Sequence, residues 1–196
     1  MDTMSTPRWF TDTKEGHSEW YVERFRTMAR EGADLAGEGR LVDAMVGRNS
    51  RILDAGCGPG RIGGYLHTVG HDVVGVDVDP TLIAAAEQDH PGPRWLVQDL
   101  AELDVGGAFD AIVCAGNVMV FVAEGTETTV LANFRKHLTP EGFAIVGFHT
   151  NRGLTPDRFD EYAAAAGLRT DLRLATWDVK PWHDGADFAV TILRPA

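Results

Sequence analysis

Cysteine is nearly absent from this 196-residue chain, and clustered basic residues, long apolar runs and repeats are missing from it altogether. The two cysteines, Cys57 and Cys114, sit in glycine-rich or apolar stretches without metal-ligand spacing. They read as reduced thiols in a cytoplasmic protein, and no metal site is expected. Lys and Arg number 18 against 29 Asp plus Glu, a net charge of -11 with no basic run to interrupt it. A nucleic-acid partner held through phosphate contacts is therefore not expected; the surface reads as acidic and soluble. No apolar run is long enough to span a membrane, and the opening MDTMSTPRWFTDTKEG lacks the charged-then-apolar pattern of a secretory signal. Both point to a cytoplasmic protein without a membrane partner. There is no Gly-Lys-Ser/Thr, which excludes the phosphate-cradling P-loop. Neither an internal repeat nor a low-complexity tract is present.

What is present is a length and an apolar content (44%) sufficient for one domain with a full core, or one domain with a small lid. The chain is organised around Arg51–Leu66, RILDAGCGPGRIGGYL. A short apolar strand (Ile52, Leu53) reaches an acid at Asp54. The chain then passes Ala55 and the glycines Gly56, Gly58 and Gly60, and resumes at helical spacing with Ile62, Tyr65 and Leu66. Strand, glycine loop and helix together make a nucleotide-cofactor arrangement, because bare backbone lets a ligand lie against it and a helix start offers free N–H groups. A dinucleotide fingerprint counted from Gly56 needs a small residue at position 61, which is Arg61. A carboxylate at the loop, Asp54, would repel a pyrophosphate but suits a cofactor carrying an ammonium and a sulfonium, S-adenosylmethionine.

Asp54-x-Gly56-x-Gly58-x-Gly60 after an apolar strand resembles motif I of the class I S-adenosylmethionine-dependent methyltransferases. Two further strands also end in acids. His71–Asp77 closes on Asp77, about twenty residues past the first glycine, a spacing that lets its carboxylate accept hydrogen bonds from both ribose hydroxyls, with Val78 beside it. Arg94–Leu100 carries Asp99, which by resemblance receives the adenine amino group, while the amide of Leu100 donates to the ring. The fourth strand, Phe109–Cys114, leads to Ala115, Gly116 and Asn117, where relatives face the methyl group and the methionine end. An Asn-Pro-Pro-Tyr or Asp-Pro-Pro-Tyr tetrapeptide is missing there, so amino-group methylation of nucleobases is not supported. Asn117 either touches the acceptor or caps the turn. Leu138-Thr139-Pro140-Glu141-Gly142 resembles the family's Leu-x-Pro-Gly-Gly turn before strand five, with Glu141 replacing a glycine.

Before motif I, residues 1–17 show no period and read as a loose arm. Ser18 is a plausible N-cap for a helix carrying Tyr21, Val22, Phe25 and Met28 on one face, and Leu41, Val42, Met45 and Val46 mark a second helix. The sequence divides at 34/35 into an N-terminal arm with a lid helix and a Rossmann-like domain over 35–196. Asp79-Pro80 and Thr155-Pro156 read as helix starts, and Gly167 as a helix stop. Two more strands are expected at 172–177 and 188–193, and the resemblance implies that they form the antiparallel hairpin at the sheet edge. The resulting fold class is α/β: a three-layer α/β/α sandwich with a seven-stranded, mostly parallel sheet and the cofactor at the strands' carboxyl ends.

The resemblance implies methyl transfer from S-adenosylmethionine to a small-molecule acceptor, leaving S-adenosylhomocysteine, with rate drawn mainly from alignment. No catalytic residue is singled out. An oxygen or nitrogen acceptor that needs a base has His17, His149 and His183 as candidates, each equally readable as an ordinary surface or turn histidine. Tyr21 and Trp20 are the aromatics expected to close over the cofactor, with lid packing as the other reading. A nucleotide-dependent oxidoreductase and a catalytically silent S-adenosylmethionine-binding module are the competing functions.

Overall fold

The computed structural model describes residues 6–196, so the first five residues of the expected arm lie outside the described part. Helices α1 (Arg8–Thr11), α2 (His17–Arg30) and α3 (Gly37–Met45) precede an alternation of β1 (Arg51–Ala55), α4 (Arg61–Thr68), β2 (Asp72–Asp77), α5 (Pro80–Asp89), β3 (Arg94–Val97) and β4 (Phe109–Cys114). A short α6 (Val118–Phe121) follows, then α7 (Glu127–His137), β5 (Leu138–His149), α8 (Pro156–Ala165), β6 (Leu168–Leu174) and β7 (Phe188–Pro195).

The seven strands form one sheet in the order β3-β2-β1-β4-β5-β7-β6, parallel except for β7, which runs antiparallel to both its neighbours. The central strands read as unbroken apolar runs because both faces are covered. Ile52, Val73, Ala111 and Ile145 meet Val42 of α3 and Leu66 of α4 on one face. Their alternates Leu53, Val74, Ile112 and Ala144 meet Phe134 of α7 and Phe159 of α8 on the other. Chain order reverses direction across the sheet between β1 and β4, which opens a crevice at their carboxyl ends.

Local signals place several boundaries. Asp79 Oδ1 accepts from Thr81 N (2.8 Å) ahead of Pro80, and Thr155 Oγ1 accepts from Arg158 N (3.3 Å) ahead of Pro156. Gly167 follows α8 at φ 75. Three expectations are corrected. The arm holds a helix, α1, and is pinned by Arg8, whose Nε donates to Val122 O (3.1 Å). Ser18 does not cap α2: Gly16 stands at the cap with φ 77, and the Ser18 hydroxyl donates to Asp79 of the α5 turn. The strand expected at 172–177 begins at Leu168, because pairing with β7, not an apolar period, holds the charged segment Arg169–Arg173 extended at the sheet edge. Cys57 and Cys114 are buried free thiols.

Candidate active site

The crevice at the ends of β1, β2 and β4 is a cavity whose floor is Gly56, Gly58, Asp77 and Val78. Asp99 and Leu100 form one wall, and Ala115 and Gly116 the other. Pro7, Trp9 and Tyr21 of the arm roof it, and Val118 and Phe121 of α6 close the side. Nine of the residues expected from sequence therefore meet on one cavity: Tyr21, Gly56, Gly58, Asp77, Val78, Asp99, Leu100, Ala115 and Gly116. The other four, Asp54, Ala55, Gly60 and Trp20, do not line it.

Asp54 fails to reach the mouth because it is turned under the loop. It is 1% exposed, and its Oδ2 accepts from Gly63 N (2.8 Å) in the first turn of α4. Burial pushes its carboxyl up to about 7. The loop amides are otherwise spoken for: Gly56 N and Cys57 N donate to Val76 O, Gly58 N to Asp77 Oδ2 and Gly60 N to Cys57 O. A pyrophosphate here would find the loop amides and Gly63 N already paired and a buried carboxyl beneath the helix start, which opposes a dinucleotide. Arg61, at the position where such a fingerprint needs a small residue, instead binds Glu38 of α3 and Leu35 O (2.8 Å), joining the loop to the helices before it.

Gly60 serves packing: a Cβ there would stand 2.8 Å from Ala86 Cβ and 3.0 Å from the Trp95 ring. Gly58, at φ 55, faces the cavity, where an added Cβ would sit 3.6 Å from the Tyr21 ring. Tyr21 also reaches Gly116, whose added Cβ would lie 4.0 Å from the hydroxyl, so one ring spans the cavity from the β1 loop to the β4 loop. Burial pushes the Tyr21 phenol up from its ordinary range. Trp20, one residue earlier and about 100° around the helix, is turned out to 54% exposure and lies over the neighbouring cleft with His17.

Asp77 is held by two backbone amides, Gly58 N to Oδ2 (2.8 Å) and Asp79 N to Oδ1 (3.0 Å). A carboxylate has about four lone-pair sites, so each oxygen keeps one for a ligand hydroxyl. Burial pushes this carboxyl up to about 6 despite both amides. Hydroxyl donors favour the ionised form. The affinity of a ribose-bearing ligand should therefore rise with pH up to about 6 and level off above it, by as much as about tenfold per unit on the acid side. Calorimetric titration with S-adenosylhomocysteine from pH 5 to 8 measures this, and a flat profile would remove Asp77 from the ribose contact. Asp99 lines the cavity, and its Oδ1 accepts from Ala101 N (2.8 Å).

None of the three candidate histidines lines the cavity. His17 packs among aromatics, 4.9 Å from Trp9 and 5.3 Å from Trp20. His149 is edge-on to Phe188 (4.8 Å), with its backbone N (2.7 Å) and Nδ1 (3.0 Å) on Asn117 Oδ1. His183 sits on the exposed hairpin loop beside Asp184 O (3.1 Å). Asn117 neither caps α6 with its side chain nor lines the cavity; it ties the end of β5 to the end of β4. Among the described residues no group of three or more His, Cys, Asp or Glu is placed to hold a metal ion. Sequence reasoning missed Pro7, Val118 and Phe121: nothing in a one-dimensional pattern separates a side chain that walls a ligand from one that fills a core.

Residues 52–142 match the methyltransferase domain family. The solved structure of a TehB-like SAM-dependent methyltransferase from Corynebacterium glutamicum is 46% identical, superposes with a TM-score of 0.89, and pairs 93% of this chain with 100% of that one. Among curated relatives, a putative methyltransferase of Bacillus subtilis is 28% identical over 57% of this chain and 47% of its own length. The magnesium-protoporphyrin O-methyltransferase of Rhodobacter capsulatus is 34% identical over 52% of this chain and 48% of its own. The chain spans about half the length of these curated relatives.

Proposed function

The chain belongs to the class I S-adenosylmethionine-dependent methyltransferases, and from that premise we propose that it methylates a small-molecule acceptor with S-adenosylmethionine held in the roofed cavity. The observation that carries this reading is the cavity itself. Bare backbone at Gly58 and Gly116 leaves room under Tyr21, Asp77 at the end of β2 and Asp99 two residues past β3 line the cavity, and the loop amides are consumed internally. The donor set fits a nucleoside without a pyrophosphate.

In this reading Asp77 holds the two ribose hydroxyls, Asp99 and Leu100 the adenine edge, and Gly56, Gly58, Ala115 and Gly116 form the bed for the methionine end. Asp54 acts from beneath, fixing the α4 start rather than touching the ligand. Bound S-adenosylmethionine supplies an electrophilic methyl group on a sulfonium. Trp9, Tyr21 and Phe121 exclude water from that end and keep the acceptor aligned, which is where a transfer of this kind draws much of its rate. The described residues of the 1–34 segment, 6–34, then form the lid over a catalytic unit spanning 35–196. A small acceptor is supported by the acidic surface and by the porphyrin acceptor named for the Rhodobacter relative. A cytoplasmic site of action is supported by the two free thiols.

The test is thermal unfolding with S-adenosylmethionine, S-adenosylhomocysteine or NADH, followed by transfer of labelled methyl into fractionated metabolites, RNA and protein. Each sulfur nucleoside at one hundred times its dissociation constant should add about 2.7 kcal/mol, and NADH nothing. Stabilisation by NADH alone would return the oxidoreductase reading. Labelling of RNA or protein without any metabolite would overturn the small-molecule acceptor.

A further inference from the structure

We propose that Asp79 is a positioning residue that couples closure of the roof to occupancy of the ribose site; this rests on the cofactor reading above. The turn from Asp77 to Thr81 serves two sides at once. Asp77 lines the cavity, and its Oδ1 accepts from the backbone N–H of Asp79 (3.0 Å). The Asp79 side chain goes to the arm instead. Oδ1 caps α5 through Thr81 N (2.8 Å), while Oδ2 accepts from Trp9 Nε1 (2.8 Å) and from the Ser18 hydroxyl. One carboxyl oxygen thereby holds both pieces of the roof: Trp9 from α1, and the first turn of α2, three residues before Tyr21.

Asp79 is 3% exposed, so water does not readily replace it as the acceptor for these donors. The rest of the roof is built to follow it. Trp9 stands edge-on to Tyr21 and to Phe121, each at 5.6 Å. Further along, α2 lies on α5 through Val22 against Leu82 and Ala85, and Arg26 binds Asp89 (2.8 Å) at the far end. Trp9 and Tyr21 line the cavity opposite Gly58 and Gly116, so the space left for a bound ligand depends on where this roof stands. The indole of Trp9 is held by the residue whose amide steadies the ribose acid. Hydroxyls bound at Asp77 stiffen that turn and favour the closed arm, and by linkage the closed arm favours the bound ligand.

Asp79→Asn separates this role from helix capping. Its amide oxygen still accepts from Thr81 N–H, asparagine being as good a cap as aspartate, but an NH2 now stands where Oδ2 met the indole N–H. Two readouts are taken on the full chain: the dissociation rate of S-adenosylhomocysteine, and the rate of trypsin cleavage after Lys14 with and without that ligand. We expect dissociation about tenfold faster, loss of the ligand's protection at Lys14, and a ligand-free melting temperature close to wild type. Trp9→Phe, which keeps one aromatic ring beside Tyr21 and Phe121 while removing the indole N–H donor, should shift both readouts the same way and decides the matter if Asp79→Asn does not fold. Wild-type dissociation and wild-type protection at Lys14 in folded Asp79→Asn, whatever its melting temperature, would leave Asp79 with no role beyond capping α5 and overturn the inference. Failure of the wild type to bind S-adenosylhomocysteine would overturn the cofactor reading and this inference with it.

Discussion

Replacing Asp77 with alanine is expected to weaken S-adenosylhomocysteine binding at least about a hundredfold. A hydrogen bond to a charged group contributes about 1.5–3 kcal/mol, and the carboxylate has one free lone-pair site on each oxygen for the two ribose hydroxyls. The variant also strips the acceptor from Gly58 N and Asp79 N, so the bed of the cavity loosens together with the contact. Fold stability should fall less than binding does, because the buried carboxyl carries its own desolvation cost, visible in its push up to about 6. Asp77→Asn keeps one acceptor oxygen and should lose about tenfold. Calorimetry at pH 7.5 measures the affinities, with circular dichroism as the check on folding. An Asp77→Ala affinity within threefold of wild type would mean that the ribose lies elsewhere.

Trp95→Ala should cost about 3–5 kcal/mol of folding stability, the range for removing a large buried aromatic, and lower the melting temperature by about 10 °C for a chain of this size. The indole is 7% exposed and donates through Nε1 to His90 O (3.0 Å). It lies in a socket of three glycines. A Cβ would fall 2.1 Å from its ring at Gly75, 2.9 Å at Gly63 and 3.0 Å at Gly60. Filling the socket is also damaging: Gly75→Ala leaves the ring no position and should itself cost on the order of 1–3 kcal/mol. Because Gly60 and Gly63 flank the start of α4, the cavity floor rests on this ring, and Trp95→Ala should weaken cofactor affinity without removing a single cofactor contact. Urea unfolding and calorimetry together test this. A stability loss below 1 kcal/mol would show that the socket collapses without consequence.

The two glycine sets explain what was legible. Gly56, Gly58 and Gly60 form one pattern in sequence, yet Gly58 faces the ligand cavity while Gly60 faces Trp95, thirty-five positions onward. Spacing records that bare backbone is required and is silent on what approaches it. The same holds for Asp54 and Asp77. Both end parallel strands and both are pushed up by burial, but Asp54 turns down to Gly63 N and Asp77 lines the cavity. Trp20 and Tyr21 are adjacent aromatics that sequence reasoning treated alike. The helical turn of α2 sends one outward and the other across the cavity.

Local chemistry was enough to determine the alternation of strands and helices, since a parallel strand covered on both faces needs an unbroken apolar run and a capped helix needs its Asp-Pro or Thr-Pro start. It also placed acids at or just past the ends of β1, β2 and β3, of which Asp77 and Asp99 line the cavity and Asp54 does not. The resemblance built on those residues supplied the antiparallel hairpin. Only the tertiary structure decided that the arm is a roof. Trp9, Ser18 and Asp79 are separated by up to seventy positions, and the hydrogen bonds that join them exist only after α2 has docked on α5. A contact of that kind depends on where two surfaces meet, and neither segment's own pattern encodes the meeting.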